Sequence, residues 1–281
     1  MKHAFLIMAH GNLEILNVLL SMLEDPLNDI YLHLDSKMGD VKLDRDYENL
    51  YILEKRMDVS WGDIGQINLE MMLFEKAYSH GPYMYYHLLS GVDLPLKSNN
   101  YIHNFFEANF GKEFVGYSFS IGSARERVLY YRILSRYQKN FIVRKISSVF
   151  IRFQKFWGLE RLFPYEIKKG ANWVSVTNCF VQYLLSKKTQ ISKNFSYTFC
   201  ADEIFLQSIL WNSQFKENIY NKDDESKSCV RKIDWNRGNP YVWTIDDFDE
   251  LMRSDAIFAR KFDVSDLYVV RKIEKVIKNR V

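Results

Sequence analysis

The 281-residue chain predicts an α/β domain with a mainly parallel central sheet flanked by helices. Two observations carry that expectation. Apolar runs of strand length alternate with longer runs of helical periodicity along the first hundred residues. Polar residues able to hold a ligand stand directly after several of the strand runs, on the rim where open sheets of this kind bind their ligands. Length and composition, at 47% hydrophobic and 26% charged, suit one domain over residues 1–281.

The elements follow in order. "AFLIMAH" reads as a buried strand, and "GNLEILNVLLSMLED" places Leu13, Ile15, Leu16, Leu19, Leu20 and Leu23 on the inner face of a helix. "DIYLHLD" and "LYILE" read as further strands, and "IGQINLEMMLFEKAYSH" as a helix. "YMYYHLLSGVDLPL" reads as a strand running into a loop bounded by glycine and proline. This order sets His10, Asp35 and Ser90 to Asp93 on one rim. No GxGxxG follows the first strand and no GxxxxGK[ST] occurs, so two common phosphate-cradling loops are missing.

Residues 139–157 place Ile142, Ile146, Val149, Phe150, Phe153 and Trp157 at helical spacing. Lys139, Arg144, Lys145, Arg152 and Lys155 supply the charge, with no acid among them, as in helices that lie on a membrane surface. The commoner arrangement is a helix that turns its apolar face to the core and its basic face to water. Residues 264–281 read as a basic helical tail. "CADEIFLQSIL" sets Asp202 and Glu203 at a helix start, where acids complement the helix dipole or where one of them takes a proton.

A net charge of +3, with no accompanying motif, gives no nucleic-acid footprint. Cys179, Cys200 and Cys229 show neither metal-ligand nor disulfide-framework spacing, which fits a reducing cytoplasm. No signal-peptide pattern and no apolar span of membrane length is present, so the expectation is a soluble or peripheral protein.

"HLLSGVDLPLKS" resembles the "LSG-x-D-x-PL" segment of the core-2/I-branching β-1,6-N-acetylglucosaminyltransferase family, to which peptide xylosyltransferases are related. Further segments agree in order. "FLIMAH" and "IYLHLD" look like the family's first strands, and "VSWGDIGQINLEMMLFEKA" like its tryptophan-containing strand-to-helix segment. "NWVSVTN" resembles its central strand, "ADEIFLQSIL" its acidic helix start, and "DWNRGNP" with "DDFDELMRSDAIFARKFD" its last block.

The resemblance implies a glycosyltransferase A-type, Rossmann-like fold and an inverting transfer from a UDP-sugar, commonly UDP-N-acetylglucosamine. No metal or other cofactor is implied, and the acceptor is a glycan or lipid-linked glycan. Glu203 matches the family's catalytic glutamate, with Asp202 as capping or orienting partner. Lys261 matches its phosphate-binding lysine, with Arg260 beside it. Arg237 stands nearest to a second phosphate-binding position that does not align cleanly. Arg127 matches an acceptor-contacting arginine, and Trp235 offers a platform for a sugar ring or is a core residue. His10 and Asp35 are placed for uracil and ribose, and Asp93 for the donor sugar or for the turn itself. The Asp-x-Asp spacing at Asp247 and Asp249 is read as a helix start. The alternatives are transfer of xylose or another sugar from its UDP donor, and a catalytically silent glycan- or nucleotide-binding module.

Overall fold

A computed structural model describes residues 1–118 and 120–279. In chain order its elements are β1 (His3–Ala9), α1 (Leu13–Leu23), β2 (Asn28–Leu34), β3 (Leu50–Ile52), α2 (Gly65–His80), β4 (Tyr85–Ser90), β5 (Leu94–Pro95) and α3 (Asn99–Ala108). These are followed by α4 (Ala124–Leu129), α5 (Phe141–Phe156), β6 (Ser175–Thr177), α6 (Asn178–Ser186), α7 (Lys188–Phe195) and α8 (Phe205–Trp211). The chain closes with α9 (Glu225–Cys229), β7 (Arg231–Ile233), α10 (Phe248–Arg253), β8 (Phe258–Arg260) and α11 (Leu267–Lys278).

The main sheet has the order β3-β2-β1-β4-β6 and is parallel except for β6. Strands β1, β2 and β4 are buried along their whole length, which is why their sequences run apolar without alternation. The pleat still sorts the side chains. Phe5, Ile7 and Ala9 pack with α1, α3 and α11, whereas Ala4, Leu6 and Met8 pack with α2, α6 and α8. This mainly parallel sheet between helices is compatible with the glycosyltransferase A-type arrangement. A smaller sheet, β5-β8-β7, ties residues 94–95 to residues 258–259 and carries the end of the chain back to the rim.

Two local expectations need correction. "NWVSVTN" does not form a central strand: only Ser175–Thr177 is a strand, antiparallel and last in the sheet. α5 does not turn its apolar stripe inward. Ser147, Ile151 and Gln154 are its buried residues, and Ile142, Ile146, Val149 and Phe153 are each more than half exposed. The 264–281 segment forms the basic helix α11, whose Val269, Val270, Ile273 and Ile277 are buried beside α1; residues 280 and 281 lie outside the described residues. The acids of "DDFD" do start a helix, with Asp247 Oδ2 accepting from the Thr244 amide and hydroxyl at 3.0 Å each in a capping box.

Candidate active site

Two adjoining cavities open at the carboxyl ends of β1, β2 and β4. The first, about 510 Å³, is lined by His10, Asp35, Lys37, Ser90, Trp173 and Arg260 among others. The second, about 560 Å³, is lined by Lys169, Asp202, Glu203, Glu225, Trp235 and again Trp173 and Arg260. A further hollow of about 420 Å³ lies around Lys2 and Asn28, at the amino ends of β1 and β2. Ligands of open parallel sheets sit at the opposite rim, so the paired cavities define the candidate site.

In the second cavity, Glu203 ends a 3₁₀ turn formed by residues 201–203. Arg127, on α4, donates to Glu203 Oε2 through Nη1 at 3.0 Å and Nη2 at 3.1 Å, and also to the Cys200 carbonyl at 3.2 Å. Lys169 Nζ stands 3.5 Å from the same carboxylate oxygen. Arg127 is thus a buried clamp on the acid, which remains about one-third exposed. Arg127 is expected to contact the acceptor; in the structure both of its terminal nitrogens donate to Glu203 Oε2. The Glu203 carbonyl accepts from the Gly170 amide at 3.0 Å. A side chain at position 170 would meet the Gly116 carbonyl oxygen at 1.9 Å, so the backbone beside Glu203 approaches as closely as it does only because residue 170 is glycine.

Asp202 is buried beneath Glu203 and does not cap the helix as expected: neither the 3₁₀ turn nor α8 has a side-chain cap, and Asp202 Oδ1 has no hydrogen-bond partner. Burial pushes its carboxyl up from 3.8 to about 7, the charge of Glu203 adds to this, and Arg127 opposes it. Glu70 of α2, fully buried, is likewise pushed well upward by burial and by Asp202, while its Oε1 accepts from Asn172 at 2.9 Å. A carboxyl whose folded pKa lies above its unfolded value binds its proton more tightly in the folded chain, so stability falls as pH rises from about 3.8 to about 7. Asp202→Asn should therefore flatten the pH dependence of the urea midpoint over that interval and raise stability above it by about 1–3 kcal/mol. An unchanged pH profile would show that Asp202 is not the buried titrating group.

Arg260 joins the two cavities. It is the last residue of β8, its guanidinium lies over the Trp173 ring at 4.2 Å, and its Nε is 3.8 Å from Asp93. Asp93 is buried and takes hydrogen bonds from the Ser90 amide at 2.9 Å and hydroxyl at 2.6 Å. It holds the "SGVD" turn and supports Arg260, and lines neither cavity. Burial lowers the Arg260 pKa, with Asp93 opposing, so the guanidinium is a poorly hydrated cation facing a ligand space.

In the first cavity, Asp35 accepts from the Lys37 amide at 2.9 Å and the Val59 amide at 3.1 Å, which fixes its carboxylate at the end of β2. His10 follows β1, and its imidazole is held below its ordinary pKa by desolvation at the crowded rim, with Arg260, Lys261 and Lys37 adding to the effect and Asp35 opposing it.

The remaining expected residues fall in different places. Trp235 is exposed and lines the acid cavity, as a sugar platform requires, and is not a core residue. Lys261 follows Arg260 and lines neither cavity; its carbonyl accepts from the Trp243 amide at 3.0 Å. Arg237 is engaged by Asp234 at 2.5 Å, Asp247 at 2.6 Å and Glu250 at 3.1 Å, and it too lines neither cavity. Sequence reasoning did not single out Lys169, Glu70 or Trp173. Trp173 stood inside a segment quoted for other reasons, and Lys169 carried no signal beyond its charge.

A carboxylate thus faces the second cavity, and a desolvated cation stands between it and the first, on a fold compatible with that of a glycosyltransferase. The sequence model of the Core-2/I-Branching enzyme family matches residues 3–251, and the chain belongs to that family of glycosyltransferases. It is similar to Xylosyltransferase oxt of Drosophila pseudoobscura pseudoobscura, 23% identical over 92% of this chain and 31% of that protein. It is also similar to Xylosyltransferase oxt of Drosophila melanogaster, at 22% identity and the same coverage. The chain spans about a third of the length of these relatives.

Proposed function

We propose that the protein is an inverting, metal-independent transferase that moves N-acetylglucosamine from its UDP donor to a hydroxyl of a glycan acceptor, forming a β-linkage. The observation that carries this reading is the placement of Arg260 between the His10–Asp35 cavity and the Asp202–Glu203 cavity. In that arrangement uridine occupies the first cavity and the transferred sugar the second. The acceptor oxygen forms a bond to the anomeric carbon as its proton passes to Glu203. The bond from that carbon to the diphosphate breaks, and the electron pair leaves with UDP. Arg260, with Lys261 beside it, meets the developing charge, as fixed cations can where no metal does so. Asp247 of the Asp-x-Asp spacing is already held by Thr244 and Arg237, which favours the metal-independent form of the reaction.

Xylose is a second donor reading, favoured by the names of the two relatives. A panel of UDP-sugars separates the two by thermal stabilisation, since a ligand that binds only the folded chain raises its melting temperature. UDP-N-acetylglucosamine is expected to give the largest shift. A larger shift with UDP-xylose would reassign the donor, and no shift with any UDP-sugar would remove the reading. Peripheral contact with the inner face of a cell membrane, through residues 139–157, belongs to the same reading, because it would keep a lipid-linked glycan within reach. Three unpaired cysteines are compatible with that compartment.

A further inference from the structure

α5 presents two separate faces. Ile142, Ile146, Val149 and Phe153 recur at i, i+4, i+7 and i+11 and face solvent, with Phe156 and Trp157 continuing the stripe at 83% and 63% exposure. Ser147, Ile151 and Gln154 form the attached face, which is held by polar contacts. Gln154 accepts from the Tyr131 amide at 2.8 Å and donates to its carbonyl at 3.1 Å, and Ser147 accepts from Gln138 at 2.6 Å. The hydrophobic stripe is therefore not what fastens this helix to the domain. Ile133, Leu159 and Leu162 extend the exposed apolar surface beyond both ends of the helix. A continuous stripe of this kind marks an interaction site, because isolated exposed apolar side chains are ordinary and runs of them are not.

Charge selects the occupant. Lys145 and Arg152 border one side of the stripe and Arg144 lies farther round the helix; none takes part in an ion pair with an acid among the described residues. The charged groups of Arg144 and Lys145 lie over the Phe141 ring at 5.8 and 4.4 Å. Lys155 alone on the helix is paired, with Glu126. An apolar wedge bordered by unpaired cations complements an anionic bilayer, whose headgroups meet the charges while the acyl boundary takes the rings.

We infer that α5 and its flanks dock the protein on an anionic membrane surface, with the active site held beside the bilayer. Glu126 and Arg127 are neighbours on α4: Glu126 pairs with Lys155 of α5, and Arg127 clamps Glu203. Lys139, just before α5, lines the first cavity. The relevance of docking to a lipid-linked acceptor rests on the transferase reading; the docking itself does not.

The test is sedimentation with vesicles of phosphatidylcholine alone or mixed with phosphatidylglycerol, without donor or acceptor. Binding is expected only to the mixed vesicles and is expected to weaken with salt. Arg144→Glu with Lys145→Glu should weaken it by at least about fivefold per charge removed. Ile146→Asp with Phe153→Asp should abolish it with only a small change in melting temperature, since both side chains are more than half exposed. Brominated lipid should quench tryptophan fluorescence, and less so in Trp157→Phe. Equal binding to both vesicle types, no binding to either, or a parent dimer that dissociates in the Ile146→Asp/Phe153→Asp variant without any vesicle binding would each overturn the inference; the last would assign the face to a second copy.

Discussion

Glu203→Gln is expected to lower sugar transfer by at least ~100-fold, the usual share of a positioned general base, while leaving the fold and UDP affinity intact. The amide keeps the shape of the side chain and still offers an oxygen to Arg127, which now grips Oε2 with both terminal nitrogens. What the amide cannot do is accept the acceptor proton. The structure sharpens the expectation in one respect: all contacts of the carboxylate with Arg127 and Lys169 fall on Oε2, which leaves Oε1 clear of both cations. Arg127→Met should therefore slow transfer as well, through misplacement of the acid. Near-normal turnover by the Gln variant would remove Glu203 from the mechanism.

The second large effect is expected at Arg260. Arg260→Met keeps an apolar stem against Trp173 and deletes the only side-chain cation that lines both cavities among the described residues. UDP binding and transfer should weaken together, with a transition-state loss of ~2 to 4 kcal/mol. Uridine and UMP should bind nearly as before, because a cation on the distal phosphate contributes little to ligands that lack it. Lys261→Ala should show the same pattern with a smaller amplitude, since that residue lines neither cavity. Magnesium should rescue neither variant. Loss of parent activity with a chelator, or an equal loss of affinity for UDP and uridine, would count against charge-based stabilisation by this pair.

The strands and helices of the first ninety residues are legible because burial on both sides of a parallel sheet leaves an unbroken apolar run, and the intervening helices carry a clear inner stripe. The rim positions of His10 and Asp35 follow from that order alone. Partnerships between distant segments are not legible in this way. Arg127 and Glu203 are separated by 76 positions, and nothing local to "ARERVL" announces that its arginine will be buried on the acid. Arg237 fails to stand out as occupied for the same reason, since two of its three carboxylate partners come from the helix start at 247–250. At α5 the periodicity locates the helix correctly and misplaces its inner face, because Gln154 and Ser147 attach it through hydrogen bonds that no hydrophobic pattern encodes.

The small sheet has a consequence for biogenesis. β5, at residues 94–95, finds its partner only when residues 258–259 arrive, about 160 positions later, and Arg260 comes into place with that pairing. Contacts of such long sequence separation form late, after the local β-α units have assembled. A nascent or proteolysed chain that ends before β8 would thus leave Asp93 without its counter-charge and the rim without Arg260, and would strip α11 from the face of β1 and α1. On the transferase reading, a ribosome-release assay that follows UDP binding against chain length should show binding switch on only after β8 has cleared the exit tunnel.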